Sequence, residues 1–277
     1  MPSRIVRRHV LKLASASALL SLLGPVSAAR AANTLRVGGT GSANEMWKVL
    51  ERAFQKLHPG NELVVIPGLG STGGIKAANE SAVDVSISAR HLKPAESNQL
   101  NEISFARSPF VIATSHSNPG AFAVSDVARM IADPQAKWHD GLPVRVILRP
   151  SAETDTEIMG RLFPGVKEAI ESARKLSDVP IGINDQDNAT LAETIPGSLI
   201  GISLTQLQLE KRRLRTVDLD GKAASLANLE NGSYPFGREL NLVFAKTPSS
   251  PAEKFVAFLK SAEGAKAIRD CGCQPLI

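Results

Sequence analysis

From Leu35 to the C-terminus, short apolar runs alternate with amphipathic stretches, and the connections between them are short. Leu35-Arg36-Val37 reads as a strand. Trp47, Leu50, Phe54 and Leu57 recur at spacings of three, four and three, which puts them on one face of a helix that Pro59-Gly60 ends. Leu63-Val64-Val65-Ile66 reads as a second strand and a short helix begins after Gly73-Gly74. Val83, Val85 and Ile87 alternate as a third strand. Further strands are expected at 110–113, 143–148, 199–202 and 240–244, and the chain closes with helices near 251–259 and 261–268. This alternation predicts an α/β fold of mainly parallel sheets covered by helices on both faces. With 277 residues the chain makes one large domain or two small ones.

The formal charge of +5 would suggest a polyanionic partner, but it comes from the first 31 residues. Arg4, Arg7, Arg8, Lys12 and Arg30 lie there with no acidic residue; without them Lys+Arg falls from 32 to 27 and matches the 27 Asp+Glu. What remains has no basic footprint for nucleic acid, and an aromatic content of 4% argues against a base-stacking or ring-lined carbohydrate cleft. The segment 1–31 reads as a cleaved signal peptide. Its basic start leads into an apolar stretch from Leu13 to Leu23, too short to span a bilayer, and then to Ala29-Arg30-Ala31, an A-x-A site ahead of Ala32. Val26-Ser27-Ala28 is a second cleavage candidate. Arg7-Arg8-His9-Val10-Leu11-Lys12 resembles a twin-arginine signal, and an ordinary secretory signal with adjacent arginines reads the same way. No cysteine lies near the cleavage region, so the expected product is free in the periplasm without a lipid anchor. Cys271 and Cys273 allow a C-x-C disulfide, a strained arrangement.

Two loops share the design strand, Gly/Ser/Thr run, helix: Gly38-Gly39-Thr40-Gly41-Ser42-Ala43-Asn44 and Gly68-Leu69-Gly70-Ser71-Thr72-Gly73-Gly74. Glycine lets backbone N–H groups approach a ligand, a helix N-terminus offers unpaired donors, and Ser and Thr add hydroxyls. Such loops can cradle an anion, and they also serve as ordinary caps and tight turns. Neither is a G-x-x-x-x-G-K-[ST] P-loop. Two arginines stand near strand ends: Arg90, and Arg149, which precedes the hydroxyl-rich helix start Thr154-Asp155-Thr156. A guanidinium fork suits an oxyanion; the same residues can be ion-pair partners. His58, His91, His116 and His139 lie in different elements without nucleophile–base spacing, and H-E-x-x-H and G-x-S-x-G are absent. No catalytic residue, metal site or cofactor is expected.

Several segments then carry a resemblance in sequence order. They are Gly68 to Leu92, Trp138-His139-Asp140-Gly141-Leu142-Pro143 running to Arg149, Pro196-Gly197-Ser198-Leu199-Ile200-Gly201, Tyr234-Pro235-Phe236 with Arg238, and the closing Ala257-Phe258-Leu259 and Ala262-Glu263-Gly264. Together they resemble the substrate-binding subunits of phosphate ABC transporters. The resemblance implies a two-lobed type II periplasmic-binding-protein fold, here with lobe I from 32–113 plus 240–277 and lobe II from 114–239. It implies ligand contacts at Thr40 or Ser42, Ser71, Arg149, Thr154, Asp155 and Thr156, beside which Gly41, Thr72 and Arg90 are the local candidates. The implied role is holding a small oxyanion, phosphate first, for a membrane permease, as a monomer. The alternative is another anion or a signalling role. One departure bears on the ligand: the Asp that such proteins often carry at the end of the third strand is replaced by Ser88-Ala89-Arg90. Asp155 then has two readings, a cap of its own helix or the acceptor for a protonated oxyanion.

Overall fold

The computed structural model describes residues 33–277, so the signal-peptide reading of 1–31 lies outside the described residues. Strand β1 (Thr34–Gly39) lies between β2 (Glu62–Val65) and β3 (Val85–Ser88), all parallel. Helix α1 (Asn44–Leu57) links β1 to β2, and α2 (Gly70–Asn79) links β2 to β3. The 15-residue strand β4 (Leu100–Thr114) follows. Then come β5 (Arg145–Val146), α3 (Thr154–Leu162), α4 (Asp185–Thr194), β6 (Ser198–Ser203), β7 (Gly237–Ala245), α5 (Ser250–Leu259) and α6 (Ala262–Asp270). The sheet order is β2-β1-β3-β7-β4-β6-β5. The architecture is α/β, with parallel strands flanked by helices, as expected.

β4 changes partners along its length. Residues 100–109 pair antiparallel with β7, and Phe110–Ala113 pair antiparallel with β6. The sequence pattern shows only the second part, because Asn101-Glu102-Ile103-Ser104 carries polar residues on a half-buried edge. Conversely, the strand expected at 143–148 shrinks to Arg145 and Val146 paired with β6, flanked by isolated bridges at Pro143 and Leu148.

Core packing follows the helical periodicity. Trp47, Leu50 and Phe54 are buried, but Leu57, at the end of the same stripe, is 46% exposed because the helix stops there beyond the core. Phe54, Phe255 and Phe258 form an aromatic cluster that clamps α1 to α5, with Phe54 5.3 Å from Phe255 and 5.5 Å from Phe258. Each fully buried ring contributes roughly 1.5–3 kcal/mol. Helix α2 starts at Gly70, ahead of the expected start after Gly73-Gly74. Gly74 is there for close approach: a Cβ on it would lie 2.2 Å from Ser86 Oγ and 2.6 Å from Gly39 Cα. Cys271 and Cys273 are buried and unpaired; the Cys273 Sγ lies 3.1 Å from Thr205 Oγ1. Among the described residues no helix is long and apolar enough to cross a membrane.

Candidate ligand-binding site

β1 delivers Thr40-Gly41-Ser42 into a single 3₁₀ turn (Gly41–Ala43) ahead of α1. Thr40 and Ser42 are buried, and their hydroxyls lie 3.1 Å apart. The Ser42 hydroxyl accepts from Nη2 of Arg238, the second residue of β7. Arg238 Nη1 donates to Asp155 Oδ1 at 2.7 Å, and its guanidinium sits 5.8 Å from the centre of the Phe110 ring. Asp155 lies in the first turn of α3. A single buried arginine, 1% exposed, thus ties the loop after β1 to the start of α3.

Arg149 approaches from the other side. Its Nη1 donates to the Gly182 carbonyl at 2.7 Å and its Nη2 to Glu153 Oε2 at 3.2 Å, with Asp185 Oδ1 4.0 Å away. Asp185 opens α4 and presses on the loop after β1: a Cβ on Gly41 would lie 2.6 Å from its Oδ2. The neighbouring Gln186 Nε2 donates to the Gly41 carbonyl at 2.9 Å. Two guanidiniums therefore face three carboxylates, those of Glu153, Asp155 and Asp185. Burial, and then the facing Asp155 charge, push the Asp185 carboxyl up to about 7, against the pull of Arg149 and Arg238. Arg149 Nε and Asn188 Oδ1 are buried without partners. Both residues line a cavity of about 10 Å³, space for about one water.

The remaining candidates form a second group. Ser71 Oγ accepts from the Ala89 backbone N–H at 3.0 Å, and Thr72 Oγ1 accepts from Arg90 Nε at 3.3 Å. Arg90 forks onto Glu96 through two 2.9 Å bonds, and this holds the Glu96 carboxyl down at about 2. Arg90 is thus the ion-pair partner of the turn after β3. Thr154 is buried at the start of α3, and the Thr156 hydroxyl donates to the Pro150 carbonyl at 3.1 Å. Asp155 does not cap its own helix. No side-chain cap bond is made at the start of α3, where the N-cap residue is Glu153, and the Asp155 carboxylate pairs with Arg238.

The fold brings together Thr40, Gly41, Ser42, Arg149 and Asp155, while Ser71, Thr72 and Arg90 meet beside the end of β3. The residues that join the first group are Arg238, Asp185, Glu153 and Gln186, none of them among the sequence candidates. Arg238 carried a signal: it follows Tyr234-Pro235-Phe236 in one of the resembling segments and heads the apolar run 240–244. Asp185 lies in none of the sequence motifs. Of the histidines, His116 uses both ring nitrogens structurally, 3.0 Å from Asp140 Oδ2 and 3.1 Å from the Asn118 N–H. No cluster of His, Cys, Asp and Glu among the described residues is placed to hold a metal.

The model of the PBP superfamily domain matches residues 25–263. The chain belongs to this family. Among solved structures, this PBP domain is similar to a protein of Clostridium perfringens described as a phosphate ABC transporter substrate-binding protein, solved with bound phosphate. Identity is 18%, the match covers 88% of this chain and 100% of the other, and the TM-score is 0.75. An ABC-type phosphate transport receptor from Vibrio cholerae matches at 18% identity over 87% of this chain and 99% of its own, with a TM-score of 0.60. The reduced form of OxyR from N. meningitidis matches at 11% identity over 88% and 100%, with a TM-score of 0.59. These likenesses share the fold of the type II periplasmic-binding proteins. No curated protein matches the sequence.

Proposed function

We propose that the chain is an exported solute-binding protein that holds a small oxyanion, phosphate first, between two lobes and hands it to an ABC permease in the inner membrane. Binding rather than catalysis is the role. The observation that carries this reading is the convergence of two hydroxyl-bearing segments, Thr40-Gly41-Ser42 and Thr154-Asp155, on the buried Arg238, with Arg149 behind them. Family membership and the fold shared with a phosphate-bound protein support it. The lobes are residues 32–113 plus 240–277 and residues 114–239, joined through β4 and the start of β7. A thermal-shift panel of phosphate, sulfate, molybdate and tungstate on the chain lacking residues 1–31 tests the reading. A ligand at 100 times its Kd should stabilise by about 2.7 kcal/mol. If no oxyanion shifts the Tm, the reading fails.

The charge count makes a second statement about this site. An anion entering it meets three carboxylates as well as two arginines, so binding there is favoured when Asp185 holds its proton. Sulfate and molybdate, whose own charge is constant near neutrality, should bind more tightly at pH 6 than at pH 8. Equal affinity at both would place the ligand away from Asp185.

A further inference from the structure

The Nη groups of Arg149 and Arg238 are already met by protein groups, and a second set of cationic donors lies elsewhere. A cavity of about 420 Å³ opens where the end of β3, the start of β7 and helix α3 meet, and its lining includes Arg107, Glu157, Arg161, Glu239 and Asn241. Asn241 is 1% exposed; its Oδ1 accepts from Ser104 Oγ at 2.7 Å, while its Nδ2 has no partner. A buried amide donor left unmet is costly, and almost all such groups in folded proteins are satisfied. Asn241 is among the residues that line the cavity, with its Nδ2 itself buried. Arg107 and Arg161 enter no ion pair among the described residues. Arg107 donates only to the Pro235 carbonyl, at 2.9 Å. Gly237 makes room for it, since a Cβ there would lie 2.3 Å from Arg107 Nε. Arg90, also at this wall, is neutralised by Glu96.

The donors and acceptors together define a ligand class. Two guanidiniums without a carboxylate partner suit an oxyanion. Glu157 and Glu239, the latter 3.5 Å from Ser104 Oγ and from His91 Nε2, accept only and would repel a bare anion, which favours a molecule that also brings hydroxyl donors. The volume falls within the range of sites for whole small molecules, and a lone oxyanion would leave most of it to water.

We propose that this cavity binds a hydroxylated organic anion, its phosphoryl or carboxylate head on Arg107 and Arg161 and its hydroxyls on Glu157 and Glu239. The proposal rests on the solute-binding reading above and makes the solute larger than a free oxyanion. Calorimetric titration of the chain lacking residues 1–31 uses four probes: glucose 6-phosphate, gluconate, glucose and inorganic phosphate. Glucose 6-phosphate or gluconate binds at least tenfold more tightly than phosphate, and whichever does so identifies the head group; glucose alone does not bind. Arg161 is exposed, so Arg161→Ala leaves the melting temperature unchanged while weakening that ligand at least tenfold. Glu157→Gln weakens it less and narrows the preference over inorganic phosphate. Phosphate binding as tightly as both organic anions, with Arg161→Ala silent, overturns this proposal and leaves the oxyanion reading standing. Binding of an organic anion with no response to phosphate supports the proposal and ends the free-oxyanion reading. Silence from all four probes overturns the proposal.

Discussion

Arg238 has one charged partner, one hydroxyl partner and almost no contact with water. Removing one side of a buried ion pair leaves the other charge uncompensated, typically at about 3–5 kcal/mol. Arg238→Ala should therefore lower unfolding stability by about that amount in urea titration. Arg238→Lys should cost less, since an ammonium can keep Asp155 but cannot span both partners as a fork does. Asp185 gives a pH signature. Its proton leaves near its ordinary 3.8 in the unfolded chain and at about 7 in the fold. Between those values the folded state holds the extra proton, so this contribution is fully present below about pH 4 and is lost as pH rises through 7. Asp185→Asn should flatten that decline and raise stability at pH 8 by on the order of 2 kcal/mol. Glu96 runs the other way. Depressed from 4.5 to about 2, it contributes above pH 4.5 and loses that contribution as pH falls through 2, by little because the pair is partly exposed. A stability profile unchanged by Asp185→Asn would mean its carboxyl is solvated.

Helix α2 shows how an element's sequence can be chosen against its own propensity. Alanine at Gly74 would favour the isolated helix by roughly 1 kcal/mol. In the fold the added methyl would meet Ser86 and the Gly39 backbone, and backbone cannot swing aside as a side chain can. Gly74→Ala should thus destabilise by about 1–3 kcal/mol, the usual cost of overpacking, and Gly74→Val by more. A neutral or stabilising Gly74→Ala would show that α2 has room to move off β1. The glycine run from Gly68 to Gly74 was legible as a place where something must come close. Composition alone does not separate a ligand from a neighbouring strand, and for Gly74 the answer is the strand. The long β4 was half legible. Its buried part, 110–113, reads as an apolar run, whereas its first part draws its order from pairing with β7, a contact more than a hundred residues away.

At the level of the molecule, the proposed lobes are connected by β4 and by β7, and Arg238 lies at the head of β7 with one partner on each side. If that bridge holds the lobes together without ligand, Arg238→Ala in its folded form should have a larger radius of gyration by small-angle scattering, and a ligand should reduce it. An unchanged radius would mean the strands alone set the spacing. Export is checked by mass spectrometry of the periplasmic fraction. A mature N-terminus near Ala32 or Ala29 is expected, and Lys at positions 7 and 8 should block export by the twin-arginine route; the intact form in the cytoplasm would contradict it.

The order of strands and helices, the α/β class and the two hydroxyl-rich loops were readable from the sequence, because periodicity and turn chemistry are local properties of a few consecutive residues. The family was readable because its motifs fall in the same order along the chain. What each charged residue faces was not readable. Whether Arg149, Arg90 and Asp155 meet a ligand or a protein group depends on residues 4 to 83 positions distant, Glu153, Glu96 and Arg238. The pairing of Arg238 with Asp155 exists only because β7 and α3 are packed together. The Asn241 amide acquires its unmet donor in the same way, from burial beside a cavity whose walls come from separate parts of the chain. Desolvation and charge compensation are set by three-dimensional proximity, and for these groups only the tertiary structure supplied it.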